Sequence, residues 1–156
     1  AYHRGMECLN YSKAGSTEDI KNEIDRMVRE EKLSLKQAEC IKLKDIDTFA
    51  GSSIGERIKR AYAYGGGERE QPFVFEYDRQ LVQGVIDLYF IEDGQLVIVD
   101  YKTDRVLRGR AGEDELRRRY SIQLDYYAMA LSQITGLKVK EKVIYSFALG
   151  RSLTVE

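Results

Sequence analysis

Gly84-Val85-Ile86-Asp87 and, beyond an intervening Glu92-Asp93-Gly94, Val99-Asp100-Tyr101-Lys102 are the stretches that decide how this chain folds. Asp-Gly set between alternating apolar residues is a strong short-range signal for a two-residue hairpin turn. With Asp93-Gly94 as the turn, Glu92 stands opposite Gln95, Phe90 opposite Val97, Leu88 opposite Val99, and Asp87 opposite Asp100. Directly opposed residues sit roughly 4.5–5.5 Å apart at Cβ, and like charges placed so repel. Lys102 follows Asp100 at strand spacing, so alternation sets it on the same face. Both carboxylates and the lysine therefore meet in an otherwise apolar hairpin, which a divalent cation between the carboxylates would explain.

An Asp in a strand is commonly a solvated outer-face residue, and Asp100 with Lys102 alone would be an ion pair of little worth. The neighbours argue for more. Leu81-Val82, Val85-Ile86, Leu88-Tyr89-Phe90-Ile91 and Leu96-Val97-Ile98-Val99 are apolar on both faces, the pattern of a strand buried on two sides. Burying carboxylates there costs several kcal/mol unless a counter-ion compensates. A bulge at Gly94 would shift the register by one residue and separate the pair.

The chain has 156 residues, is 43% hydrophobic and 33% charged, and fits one globular domain able to bury a core. No apolar run reaches membrane-spanning length and no signal peptide opens the sequence, so the expected setting is cytoplasmic, with no membrane partner. Cys8 and Cys40 lack CxxC spacing, which argues against a cysteine-held zinc or iron–sulfur site. They fit a reducing compartment as buried thiols. A net charge of −1 does not advertise nucleic-acid binding, though an overall balance can hide a local patch. Arg105, Arg108, Arg110, Arg117, Arg118 and Arg119 cluster just after Lys102, tempered by Glu113, Asp114 and Glu115. That segment reads equally as a phosphate-facing patch or as a solvated loop and helix face.

Residues 1–64 read as mainly helical. Tyr2–Leu9 resembles the tail of a helix, and its abrupt start suggests a piece excised from a larger protein. Thr17 caps an amphipathic helix carrying Ile20, Ile24, Met27 and Val28, and Ser34 caps a shorter one through Cys40. Asp45–Ala50 and Ile54–Tyr64 complete the set before Gly65-Gly66-Gly67. Residues 68–156 then change period. Strands are expected at Glu70–Tyr77, Leu81–Ile91, Gln95–Lys102, Val139–Ala148 and Ser152–Val155, with Pro72 near the start of the first. A polar loop spans Thr103–Gly112, and Glu113–Ile134 forms a helix with Leu116, Tyr120, Leu124, Tyr127 and Leu131 on one stripe. Such a helix is long enough for a parallel crossover. The expected fold class is α/β, a mixed β-sheet flanked by helices with a helical N-terminal part.

On these residues the chain resembles the PD-(D/E)xK nuclease superfamily, in its RecB-like branch, whose fold is restriction-endonuclease-like. Gly84-x-x-Asp87 with Asp100-Tyr101-Lys102-Thr103 matches the catalytic hairpin, and Ile86 stands where the name implies proline, as is usual in this branch. Tyr120-Ser-Ile-Gln123-Leu-Asp-Tyr126-Tyr127 resembles the family's Y-x-x-Q-x-x-x-Y helix. Ala1-Tyr2-His3-Arg4-Gly5-Met6-Glu7 resembles its histidine helix, and Glu70-Gln71-Pro72-Phe73 its preceding strand. Blocks in this order and spacing cover nearly the whole chain, here 1–156 as a single nuclease domain. The likeness is nearest to the C-terminal nuclease domains of AddA-type helicase–nuclease subunits. No GxxxxGK[ST] phosphate loop occurs, so this piece carries no motor of that kind. Some sister nucleases carry a four-cysteine iron–sulfur cluster, for which Cys8 and Cys40 do not suffice.

The resemblance implies metal-dependent hydrolysis of DNA, mainly single-stranded and delivered by helicase domains of a parent chain working with an AddB-like partner subunit. It implies Mg²⁺, with Mn²⁺ as a substitute, on His3, Asp87, Asp100 and the backbone carbonyl of Tyr101. It implies Asp87, Asp100, Lys102 and Gln123 as catalytic residues, and Gln123, Tyr120, Tyr127 and Arg105 as DNA contacts. Hard oxygen ligands suit such an ion. Lys102, a compact cation, is expected to act electrostatically rather than as a general base. Tyr127 reads equally as core packing, and Glu7 and Glu70 are candidate supporting acids. The alternative reading is a non-catalytic DNA-binding or subunit-docking module that keeps the nuclease fold.

Overall fold

Asp93 and Gly94 adopt φ of +54° and +73°, the paired left-handed conformations of a type I′ hairpin turn. The computed structural model describes residues 1–156. In chain order the elements are α1 (Tyr2–Cys8), α2 (Thr17–Arg29), α3 (Leu35–Glu39), α4 (Leu43–Ala50), α5 (Ser53–Ala63), β1 (Gly67–Tyr77), β2 (Gln80–Glu92), β3 (Gln95–Lys102), α6 (Arg110–Thr135), β4 (Val139–Ser146) and β5 (Arg151–Val155), with a short 3₁₀ turn at Tyr11–Lys13. The turn gives the expected register: Glu92 pairs with Gln95, Phe90 with Val97 and Leu88 with Val99. α6 carries the chain across so that β4 runs parallel to β3, whereas the other neighbours are antiparallel. The result is a five-stranded sheet in the order β1-β2-β3-β4-β5. This mixed sheet with flanking helices and a helical N-terminal region is the restriction-endonuclease-like α/β architecture. No helix is long and apolar enough to cross a membrane.

The chain divides into two units, Ala1–Arg60 and Ala61–Glu156. In the helical unit, α2 turns Ile20, Ile24 and Met27 inward, and α4 does the same with Ile46 and Phe49. Ser16, not Thr17, caps α2, accepting the Asp19 amide at 3.1 Å, so the cap stands one residue earlier than the sequence suggests. Ser34 and Gln37 form a reciprocal capping box on α3. The cysteines are not buried: Cys8 is half-buried and Cys40 exposed. α3 buries none of its residues, and Cys40, which caps its C-terminal end, is exposed with it.

In the sheet unit, β3 is buried on both faces from Leu96 to Tyr101, as its continuous apolar run predicts. β2 departs from that expectation. Its inner half from Ile86 to Phe90 is largely buried, but Leu81 is 70% and Val85 45% exposed. The reason is topological: β3 pairs only with Leu88–Glu92, so the outer half of β2 forms a two-stranded ribbon with β1. β1 is an edge strand, where Pro72 and its missing N–H are tolerated.

α6 lays Leu116, Leu124, Tyr127 and Leu131 against Ile98, Ile144 and Leu153 of the sheet. It starts three residues before Glu113, at Arg110, just after Gly109 at φ +81°, and stops at left-handed Gly136. The polar first turn carries no apolar periodicity from which that start could be read.

Candidate active site

Asp100 and Lys102 lie at the C-terminal end of the central strand β3, on the face covered by α6. Asp100 is 1% exposed. Burial of that carboxylate is offset locally by the Lys102 ammonium at 2.6 Å. Lys102 Nζ also donates to Gln123 Oε1 of α6 at 3.1 Å and stands 4.1 Å from the centroid of the Tyr120 ring. The Tyr120 hydroxyl donates to the Asp104 carboxylate at 2.8 and 2.9 Å, and Asp104 accepts from Arg119 at 2.9 Å. A carboxylate, an amide oxygen and an anchored aromatic ring thus fix the position of one ammonium. Burial, with the bond to Asp104 adding to it, pushes the Tyr120 hydroxyl pKa up.

Asp87 enters from β2. The β2–β3 ladder ends at Leu88–Val99, and one step further the Tyr101 amide donates to Asp87 Oδ2 at 2.8 Å. A side chain takes a role that the β2 backbone fills elsewhere, which ties the Asp87 carboxylate to the strand bearing Asp100.

The β1–β2 ladder breaks at the same level. Arg69 pairs with Leu88 and Gln71 with Ile86, while Glu70 and Asp87 hold the intervening positions without a rung. Glu70 takes φ of +49°, a left-handed conformation uncommon for a side-chain-bearing residue. Tyr89 and Ile86, three apart on β2, both face the α6 core, so strict alternation is interrupted between them. Like a bulge beside a functional site, this re-aims side chains. Burial first, then Asp100, Asp87 and Glu70 in that order, raise the Tyr127 hydroxyl pKa far above its usual range, so all three carboxylates act on one place.

The sheet unit therefore brings Asp87, Asp100, Tyr101, Lys102, Gln123 and Tyr120 together. Tyr127 is core, 6% exposed and edge-on to Phe73 at 5.5 Å, with the carboxylates' field at its hydroxyl. Arg105 is exposed on the loop after β3, and His3 is exposed on α1 of the helical unit. Glu7 forms a 2.6 Å ion pair with Arg4. Asp104 was not anticipated, although its spacing two residues after Lys102 was visible; its partner Tyr120 lies a loop and helical turns away.

The donors at the end of β3 are oxygens, and the group Glu70, Asp87, Asp100 and Lys102 sums to a negative charge. This fits a hard divalent cation. No group of three or more His, Cys, Asp and Glu side chains is placed so that it could hold a metal ion together.

The chain belongs to the PD-(D/E)XK nuclease superfamily, whose family model matches residues 1–153. It is related to AddA-like proteins. It is similar to an ATP-dependent helicase/nuclease subunit of Clostridium novyi (strain NT), 34% identical across 94% of this chain and 13% of that protein. The like-named protein of Thermoanaerobacter sp. (strain X514) is 38% identical across 98% of this chain and 13% of its own length. The chain thus spans about 13% of the length of these relatives. A crystal structure of a provisionally named exonuclease from Eubacterium rectale aligns at 17% identity and TM-score 0.46, covering 87% of this chain and 54% of that one.

Proposed function

We propose that this chain is the C-terminal nuclease domain of a larger helicase–nuclease and hydrolyses phosphodiester bonds of single-stranded DNA in double-strand-break repair and recombination. The observation that carries the reading is the Asp100–Lys102–Gln123 cluster at the end of β3, with Asp87 bonded to the same strand. Asp87 and Asp100, with the Tyr101 carbonyl, would hold Mg²⁺ or Mn²⁺. Such an ion would supply a more acidic bound water and positive charge beside the phosphate. Lys102 places its ammonium beside the carboxylates, where it stabilises negative charge growing on the phosphate oxygens and orients the attacking water. Gln123 holds that ammonium in place, and Tyr120 and Arg105 border the path of the strand. Water oxygen bonds to phosphorus and gives up a proton to solvent, the bond to the departing sugar oxygen breaks, and that oxygen takes up a proton from solvent.

The relatives are named helicase/nuclease subunits and are far longer than this chain, which supports helicase domains elsewhere in the parent protein, an AddB-like partner and a cytoplasmic setting. The test is cleavage of end-labelled single-stranded DNA by this chain in Mg²⁺. Cleavage abolished by EDTA and by Asp100→Ala is expected. Cleavage that survives Asp100→Ala overturns the assignment, and DNA binding with neither cleavage nor metal uptake favours a docking module.

A further inference from the structure

Beside the carboxylate cluster lies an open pocket of about 320 Å³ between α6 and the outer half of the β1–β2 ribbon. Its walls are apolar and aromatic: Phe73 and Val82 from the ribbon, Ile122, Tyr126 and Tyr127 from α6. Gly84 helps keep it open, since a Cβ there would come within 3.0 Å of the Phe73 ring. Ile122 is 66% exposed at the rim, an apolar side chain in water next to Gln123. Gln123 belongs to both places, lining the pocket while its Oε1 accepts the Lys102 ammonium.

Resting on the nuclease reading, we propose that this pocket receives one unstacked nucleobase of the strand whose backbone lies at Asp87, Asp100 and Lys102. A phosphodiester backbone is charged and gains nothing from apolar walls, whereas a base has flat faces that pack on aromatic and aliphatic side chains. The pocket carries amides at Gln83 and Gln123, each able to offer a donor or an acceptor to a base edge. Such edges accept any base, so the pocket grips without reading sequence. A base in a duplex is stacked and paired and must leave the helix to enter, so the pocket selects single strands. Continuity through Gln123 places the base next to the phosphate that is cut.

The experiment is a scan of short labelled single strands, each with one abasic site, bound to this chain in EDTA and followed by fluorescence anisotropy. One abasic position weakens binding about tenfold and its neighbours do so far less. Ile122→Glu, at an exposed helix position, weakens the unmodified strand by a similar factor and flattens the profile; Ile122→Phe keeps both. A flat profile in the unmodified chain, an unchanged dip in Ile122→Glu, or no single-strand binding overturns the proposal. Metal-dependent cleavage with a flat profile overturns the pocket and leaves the nuclease, whereas a dip without cleavage or metal uptake supports the pocket and counts against the nuclease.

Discussion

The two halves of β2 are alike in composition and opposite in circumstance. Ile86, Leu88 and Phe90 are fully buried, while Leu81 and Val85 are exposed. Leu88 and Phe90 have β1 on one side and β3 on the other, whereas Leu81–Ile86 have only β1, and Ile86 is buried against the α6 core. Apolar content makes both halves strand, but burial is conferred by what covers each face, as Ile86 under α6 shows. The boundary falls at Asp87, where the sheet narrows from three strands to two and the alternation of β2 is interrupted. Carboxylates stand where packing is tight enough to fix them and open enough for a substrate to arrive, and the apolar pocket occupies the open side.

That contrast can be broken by mutation. Leu88→Ala should be the most damaging change, lowering stability by about 2–5 kcal/mol through a core cavity, read as a fall in the urea midpoint. Lys102→Ala, just beyond the inner half, should reduce cleavage by about 10²–10³-fold while Mn²⁺ binding persists, because it removes charge stabilisation and not a ligand. Loss of metal binding in that variant would mean that its role is misassigned. Tyr120→Phe removes the hydroxyl that bonds Asp104 and Arg119, each bond worth about 1 kcal/mol, and should slow kcat without moving KM. Leu81→Ala should change stability by less than about 0.5 kcal/mol. A loss there as large as that of Leu88→Ala would erase the distinction between the halves.

Most of the sheet was legible because its signals are local. Asp93-Gly94 dictates a turn whose φ values and register follow as far as Leu88–Val99; the expected Asp87–Asp100 rung does not form, and the Asp87 carboxylate instead accepts the Tyr101 amide. The Lys102–Gln123 contact was reachable only through the resemblance, because nothing local joins a strand end to the middle of a later helix. The exposure of Leu81 and Val85 was not legible, since strand length says nothing of how far a neighbour extends. Nor was the left-handed Glu70, a conformation that glutamate rarely adopts and that tertiary structure imposes. The bond between Tyr120 and Asp104 depends on the path of the loop before α6 and has no sequence period.

The central claim is that Asp87 and Asp100 together form a metal site at the end of β3. Calorimetric titration of Mn²⁺ into this chain, into Asp87→Ala and into Asp100→Ala tests it without requiring turnover. Saturable binding by the unmodified chain, lost in both variants while their folding is retained, is the predicted result. Binding that persists unchanged in both variants would contradict it.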